Sequence, residues 1–301
     1  MWIPQLVCPD CRGHLDVAPI GLPARCPHCC RSVEQRDGVL RFLDQTDAIR
    51  QRVFAAQYRA VREGDGYRRA DAAYYRTLPS VSPDDPRAFE WRVRCSSYAS
   101  LRRHALAVSP PALRIADLGA GCGWLAHRLT LLGHDVVAVD RLDDEIDGLG
   151  VGRHYPVEFA RAQADFDALP FADGQFDMVV FNASLHYSSD PGRSLGEARR
   201  LLAPRGALAV VDSPMFDREP DGQRMVADQL TRFAEACGVA APVRQGVGFL
   251  TYRELDHTAA RLGLAPAFFP SRGPLSWRLR RAIARVRLGR APAAFGVWVA
   301  R

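Results

Sequence analysis

Two sets of residues in this sequence have the types and spacing to do chemistry. The first is cysteine-based: Cys8-Pro9-Asp10-Cys11 and Cys26-Pro27-His28-Cys29 are two C-x-x-C knuckles separated by 14 residues. Four thiolates from two such knuckles satisfy the tetrahedral preference of zinc, and a closed four-cysteine set is the structural rather than the catalytic kind. The spacer is one residue short of the usual range. The rival arrangement, two disulfides, belongs to oxidising compartments. Cys8, Cys11, Cys26 and Cys29 are the expected zinc ligands, with His28 and Cys30 as spare donors. A ribbon this small has little core of its own, so metal binding is expected to supply much of its stability.

The second set is a glycine-rich turn, Asp117-Leu118-Gly119-Ala120-Gly121-Cys122-Gly123-Trp124. Glycines permit positive φ and remove side chains that would keep a ligand off the main chain. A nicotinamide or flavin turn would read G-x-G-x-x-G. Here the spacing is G-x-G-x-G, with an acid two residues before the first glycine. Asp140 follows 17 residues after Gly123, with Arg141 beside it, where an acid can accept hydrogen bonds from both hydroxyls of a ribose. Asp165 is placed to accept an adenine amino group, and Phe166 to give the base an apolar neighbour. The run Phe176-Asp177-Met178-Val179-Val180-Phe181-Asn182 ends at the mouth of the same site. Asp117, Gly119, Ala120, Gly121, Gly123, Asp140, Arg141, Asp165, Phe166 and Asn182 are therefore the expected cofactor-binding residues.

These residues need strands that end at one edge of a sheet, since open α/β sheets bind ligands at strand carboxyl ends. The pattern after Leu113 supplies them, with near-continuous apolar runs alternating with amphipathic stretches, as in βαβ units. Strands are predicted at Leu113–Leu118, Asp135–Asp140, Val157–Ala162, Phe176–Asn182, Ala207–Asp212, Leu264–Phe269 and Ala294–Val299. Helices are predicted near Trp124–Leu132, Pro191–Leu202, Gly222–Ala236 and Thr251–Leu262, with Gly133 closing the first. Three regions separate by texture: a ribbon over residues 1–43, an Arg-, Ala- and aromatic-rich helical cap or linker over 44–108, and the catalytic domain over 109–301. The cap contains turn signals at Gly64-Asp65-Gly66 and Ser82-Pro83-Asp84-Asp85-Pro86.

With those motifs in order, the chain resembles the class I S-adenosylmethionine-dependent methyltransferases, in particular the small-molecule subgroup that includes quinone-biosynthesis enzymes. The matching residues are Asp117 to Gly123, Asp140, Asp165 to Phe171, Asp177 to Asn182 and Glu197 to Gly206, so the resemblance spans about residues 113–213. It implies S-adenosylmethionine as cofactor and an α/β fold: a doubly wound, mostly parallel, seven-stranded Rossmann-like sheet whose last strand is antiparallel. One departure is clear. Between Asp140 and Val157 the usual helix gives way to Asp143-Asp144-Glu145-Ile146-Asp147-Gly148-Leu149-Gly150, so a loop over the site is expected, with Asp143 and Asp144 as further contacts. The ribbon, with Asp37-Gly38-Val39-Leu40-Arg41-Phe42-Leu43 behind it, resembles the short zinc-ribbon proteins that partner tRNA and protein methyltransferases. A fused ribbon also occurs in ribosomal RNA guanine-N1 methyltransferases.

Methyl transfer is an in-line displacement from a sulfonium, so positioning supplies most of the rate. A base is needed only for some acceptors. Past Asn182 the chain reads Ala183-Ser184-Leu185-His186-Tyr187, and no Asn-Pro-Pro-Tyr sequence is present, which argues against methylation of an amide or adenine nitrogen. His186 is the candidate general base, Tyr187 a pocket wall, and Asp212-Ser213-Pro214 a further acceptor contact.

The net charge of +6 invites a nucleic-acid reading, but all 40 basic residues are arginines, consistent with a GC-rich coding bias. Over Trp277 to Arg290, six arginines accompany Leu279, Ile283 and Val286 at i, i+4 and i+7. That pattern fits an amphipathic helix able to lie on anionic lipid as a peripheral membrane contact, or to grip phosphates. Neither a secretory signal nor a transmembrane run of roughly 18 apolar residues is found, so a cytoplasmic protein is expected. The leading expectation is methylation of a small-molecule or lipid-like acceptor. Methylation of RNA through the ribbon and the arginine-rich segment is the alternative, and a non-catalytic, partner-activating role is the third.

Overall fold

The computed structural model describes residues 2–15, 24–43, 55–60, 62–64, 69, 71–106, 112–237, 246–271 and 275–301. For residues 236–237, 275–278 and 280–282 it describes the backbone only. Asp65 and Gly66 of the predicted Gly64-Asp65-Gly66 turn, and residues 44–54 of the predicted helical region 44–108, lie outside the described residues.

Five short strands form the N-terminal ribbon: β1 (Leu6–Val7), β2 (His14–Leu15), β3 (Ala24–Arg25), β4 (Ser32–Arg36) and β5 (Val39–Arg41). Beyond residue 112 come β6 (Arg114–Leu118), β7 (Asp135–Asp140), β8 (Ala160–Gln163), β9 (Phe176–Asn182) and β10 (Leu202–Val211). The short strands β11 (Met215–Phe216) and β12 (Leu250–Thr251) pair with each other, followed by β13 (Pro266–Pro270) and β14 (Gly296–Ala300). Seven strands run in the order β13-β14-β10-β9-β6-β7-β8, and β14 is antiparallel to both neighbours. This is the predicted seven-stranded sheet. It does not stop at β8, however: β5 pairs parallel with β8, Val39 opposite Arg161 and Arg41 opposite Gln163, and β4 and β3 follow, making ten strands. An exposed strand edge is a template for pairing, and here the ribbon covers it.

Side chains along a strand alternate between faces, and the core divides accordingly. Leu118, Val137, Val139, Phe181, Leu208 and Val210 face one apolar cluster, whereas Ile115, Val136, Ala138, Val180, Ala209 and Val211 face the other. Helix Trp124–Leu131 covers the second face with Leu125, Ala126 and Leu129. Helix Pro191–Leu201, capped by Asp190 through the Arg193 amide at 3.0 Å and opened by a proline, covers the first with Leu195, Ala198 and Leu201. Each such Val or Leu, fully buried, contributes about 1.5–3 kcal/mol.

The N-terminal strands and the larger sheet share one core. Leu6, Cys8, Leu15, Val33 and Phe42 belong to the same apolar cluster as Phe171, Phe176 and Leu118. The Val7 amide donates to the Pro170 carbonyl and the Phe42 amide to the Gln163 carbonyl, at 3.0 and 2.8 Å. Arg12 adds donors to the Leu169 and Phe171 carbonyls at 3.1 and 3.3 Å.

In the region before residue 112, helices cover residues 55–60 and 62–64, Ala72–Thr77 and Ala88–Leu101, and a π-helical turn spans Arg102–Leu106. Several predicted elements shift: the last two strands lie at Pro266–Pro270 and Gly296–Ala300, and the helix predicted at Gly222–Ala236 runs Glu219–Cys237. The third strand starts at Ala160 rather than Val157, and a 3-10 helix, Leu149–His154, fills part of the loop before it. The fifth strand begins at Leu202, with its register against β9 broken between Leu202 and Ala207 by the Pro204-Arg205-Gly206 turn.

Candidate active site and cysteine centre

The glycine turn joins β6 to helix Trp124–Leu131 at the carboxyl edge of the sheet. The amides of Gly119 and Ala120 both donate to the Val139 carbonyl, at 2.7 and 3.0 Å, tying the turn to β7. Gly119 has φ +73°, and a Cβ there would lie 2.2 Å from the Ser184 Cβ. Backbone conformation and space both demand glycine at that position. At Gly121 (φ +54°) the room above the backbone is open, the nearest neighbour of a Cβ being the Asp147 carbonyl at 3.9 Å.

Two buried polar groups at this edge lack the partners that interior polar groups normally find. Asp117 is 0% exposed and neither carboxylate oxygen has a hydrogen bond of normal geometry. Burial pushes its pKa up to about 7, the Ala126 amide offsetting this only in part and the charge of Asp140 adding to it. Asn182, at the end of β9, is buried with an unpaired Oδ1. A cationic ammonium would satisfy the first and a donor the second, so both fit a ligand carrying an amino-acid head. Asp140 accepts from the amides of Gly121 and Leu142, at 2.8 and 2.7 Å. It is enclosed on nearly every side yet keeps part of its surface open, as a cleft residue does, and burial raises its pKa to about 6.

The predicted base-binding pair behaves differently from its neighbours. Asp165 is engaged by Arg141 at 2.9 Å and by the Asp167 amide at 3.1 Å, while Phe166 packs edge-on against Phe181, ring centroids 5.5 Å apart. The two acids of the loop after β7 are held by arginines from the N-terminal half of the chain. Arg41 of the ribbon pairs with Asp143 at 2.5 Å and Arg59 with Asp144 at 2.9 Å.

On the acceptor side, His186 Nδ1 lies 3.2 Å from the Ser213 hydroxyl, and its ring leans on Tyr187 at 4.3 Å. Burial, reinforced by the charge of Arg94, lowers its pKa to about 4. Asp212 closes β10 in a left-handed conformation (φ +51°), as Ala183 closes β9 (φ +53°). Non-glycine residues adopt such angles at a cost of roughly 1–3 kcal/mol, and they cluster at functional sites. One oxygen of Asp212 accepts from Ser97 at 2.5 Å, and Ser97 meets Ser271 at 2.5 Å. The other oxygen, Oδ2, is buried without a partner. Burial raises the Asp212 pKa to about 6, against the pull of Ser97 and Arg94.

Three residues of this site have no sequence motif to announce them. Arg62 grips Asp147, itself 4% exposed, with two hydrogen bonds of 2.7 and 2.8 Å. Tyr58, one turn earlier, packs edge-on against Tyr187 at 6.0 Å. Arg94, stacked over Trp91 at 4.9 Å, sets its charge on His186, Asp212 and Cys122. All come from helices before residue 112 and cover the cleft from above the sheet edge. Their only sequence signal is the arginine and tyrosine content of that region.

The four cysteine sulfurs of Cys8, Cys11, Cys26 and Cys29 lie within 4.8 Å of one another, with Cys8–Cys29 at 3.5 Å and Cys11–Cys26 at 3.4 Å. These separations are too long for disulfides and suit four thiolates around one ion. Both knuckles turn alike: the Arg12 amide donates to the Cys8 carbonyl and the Cys30 amide to the Cys26 carbonyl, with φ +62° at Arg12 and at Cys30. The amides of Cys29 and then His28 lower the Cys26 pKa to about 6, against burial. His28 and Cys30 stay outside the quartet. Among the remaining thiols, Cys122 is buried, Cys95 only half-buried, and the side chain of Cys237 lies outside the described residues.

Residues 116–210 match the family described as Methyltransferase domain. The malonyl-[acyl-carrier protein] O-methyltransferase of Hahella chejuensis is 30% identical over 148 residues, which cover 44% of this chain and 53% of that protein. The demethylmenaquinone methyltransferase of Renibacterium salmoninarum is 34% identical over 102 residues, 34% of this chain and 42% of that protein. The chain thus spans about half the length of the curated relatives it matches. Among solved structures, an S-adenosylmethionine-dependent methyltransferase from Mesorhizobium loti is 19% identical, covering 68% of this chain and 98% of its own, with a TM-score of 0.49. Strand order, glycine turn and family match agree on a methyltransferase domain over residues 116–210.

Proposed function

We propose that this protein transfers the methyl group of S-adenosylmethionine to a small-molecule or lipid-like acceptor. The observation that carries the reading is the buried, unpartnered Asp117 beneath a turn that leaves the backbone of Gly121 open. When bound, S-adenosylmethionine supplies an electrophilic methyl group on a sulfonium sulfur. Asp117 and Asn182 would hold its amino-acid head, the Gly119-Ala120-Gly121-Cys122-Gly123 backbone would run beneath it, and Asp140 would take the ribose hydroxyls. Asp165, Arg141 and Phe166 would border the adenine.

The acceptor belongs between Tyr187, His186, Asp212 and Arg94. His186, with a pKa near 4, is a neutral imidazole at pH 7. Its role here is to orient an acceptor by hydrogen bonding, because so weak a base holds a proton only from an acceptor that is already acidic. Asp212, with one buried oxygen unpaired and a pKa near 6, is the better-matched base. Arg94 gives the pocket a preference for acceptors with a negative group nearby.

The cysteine quartet is assigned as a structural zinc site in a cytoplasmic protein, where thiols stay reduced. We divide the chain into a ribbon (1–43), a helical cap (44–108) and the methyltransferase domain (109–301). Sheet order speaks against the RNA reading that joins ribbon and arginine-rich helix in one surface. The ribbon strands lie beyond β8, and the helix is inserted between β13 and β14 at the other edge. With about 4.8 Å between strands, the two edges are roughly 40 Å apart.

Calorimetric titration with S-adenosylmethionine tests the shared claim: saturable binding supports it, and no heat at high micromolar cofactor refutes it. Metal analysis of fresh protein tests the ribbon, for which about one equivalent of zinc per chain is expected.

A further inference from the structure

We propose that the helix Leu275–Leu288 docks this protein on an anionic lipid surface. The helix connects β13 to β14, and described apolar side chains stand exposed on it: Leu288 (48%) at its end, off the stripe, and along its length Leu279 (65%), Ile283 (48%) and Val286 (85%). At about 100° per residue these three fall within roughly 60° of one another around the helix axis. They form one stripe rather than scattered exposed residues, and such a contiguous patch marks an interaction surface. Arg285 and Arg287, both exposed, stand on opposite sides of that stripe. After Asp256 the sequence holds nine arginines and no aspartate or glutamate, so the helix itself carries only positive charge and suits a negatively charged partner.

A second feature adjoins it. A recess of about 480 Å³ opens where the helix ends, lined by Arg218, Arg224, Arg285 and Arg290 together with Asp217 and Asp221. Asp221 is turned to the Ala291 amide at 3.2 Å, and Arg290 is held by Asp228 at 3.1 Å. Arg224 donates to the Gly289 carbonyl at 3.2 Å, and Arg218 and Arg285 stand with it around a space able to hold a phosphate headgroup. Beside it, sharing Asp217 and Ala291, lies a recess of about 560 Å³ walled by Met215, Phe216, Tyr252 and Phe268.

An apolar stripe flanked by Arg285 and Arg287, with a phosphate-sized recess at its end, fits a bilayer interface. The stripe enters the acyl boundary while the guanidinium groups reach up to the headgroups. A helix built to grip RNA would present its arginines and turn its apolar residues inward, since a phosphate backbone offers no apolar cover. Here Leu279, Ile283 and Val286 are exposed instead.

The test is vesicle co-sedimentation of the full chain, with no cofactor added, so that its outcome is independent of methyl transfer. Binding is expected to phosphatidylglycerol–phosphatidylcholine vesicles and not to phosphatidylcholine alone. Leu279→Gln with Val286→Gln should reduce it by about tenfold or more. Arg285→Gln and Arg287→Gln should each weaken it about fivefold. Unchanged thermal melting of each variant confirms that the fold is intact. The proposal is overturned by equal binding to both vesicle types, by binding that survives the Leu279/Val286 change, or by tighter binding to a short duplex RNA than to the anionic vesicles. It is equally overturned if sedimentation shows a dimer that Val286→Gln dissociates, which would make the stripe a contact between two copies.

Discussion

Cofactor affinity should depend on pH through Asp117, and the size of the effect follows from its burial. The ordinary carboxylate value is 3.8, and in this site it is about 7. A raised folded-state value means that the unfolded chain releases the proton first. The burial therefore costs the cofactor-free protein nothing below pH 3.8 and its full penalty once pH has risen through about 7. An ammonium group binds the ionised carboxylate, so it selects the deprotonated fraction, about nine-tenths at pH ~8 and about one-tenth at pH ~6. The dissociation constant for S-adenosylhomocysteine, which keeps the same amino-acid head, should rise about tenfold between those two pH values. Near pH 7, binding should release about half a proton, measurable by calorimetry in two buffers of different ionisation enthalpy. Asp117→Asn removes the charge and with it a charge-assisted hydrogen bond of about 1.5–3 kcal/mol. The variant should bind at least about tenfold more weakly at pH ~8, with only the roughly twofold loss down to pH ~6 that Asp140, at about 6, can give. A wild-type affinity flat across that range, or the same slope in Asp117→Asn, refutes the reasoning.

Three further outcomes are expected. Arg62→Ala leaves the carboxylate of Asp147 buried and unpaired in the loop after β7, which should cost about 3–5 kcal/mol in denaturant unfolding and weaken cofactor binding as that loop loosens. Chelation of zinc should lower the melting temperature of the whole chain in one transition, because Cys8 and Phe42 share the core of β6 and β9. At about 2–4 °C per kcal/mol, even ~3 kcal/mol of metal contribution moves the midpoint by roughly 6–12 °C, and a separate ribbon transition seen by calorimetry would contradict the shared core. Once an acceptor is in hand, His186→Gln should lower kcat by less than about tenfold, whereas a loss of about 10² or more would make His186 the base after all.

Legibility in the sequence followed how local each cause is. Strands Asp135–Asp140 and Phe176–Asn182 have the predicted bounds, because an uninterrupted apolar run between acids and glycines can be little else than a buried parallel strand. The strand Ala160–Gln163 was harder to bound: its sequence, Ala-Arg-Ala-Gln, alternates, and half of its pairing comes from the ribbon. The union of β5 with β8 joins residues 122 positions apart, such as Val39 and Arg161, and no local pattern encodes that register. The same holds for the clasp on the loop after β7. Asp143 and Asp144 read as free to meet a ligand, yet Arg41 and Arg59 occupy them, and the deeply buried partner of Arg62 is the neighbouring Asp147. Asp117 was legible as a residue but not as a state. Its position comes from the motif, while its raised pKa comes from the burial that only the folded packing provides.

That packing also gives the ribbon a physical role. By capping the β8 edge and pairing Arg41 with Asp143, it ties the cysteine quartet to the loop after Asp140. Zinc and cofactor should therefore stabilise one another through contacts that involve no acceptor. Mutual stabilisation of this kind is reciprocal by necessity.

The most direct measurement is a crystal structure of the full chain grown with saturating S-adenosylhomocysteine. The account predicts the cofactor along Gly119-Ala120-Gly121, its ammonium on Asp117, its ribose on Asp140 and its sulfur facing the space between Tyr187 and Asp212. An empty glycine turn at saturating cofactor, or density for it at another site with Asp117 still unpartnered, would contradict it.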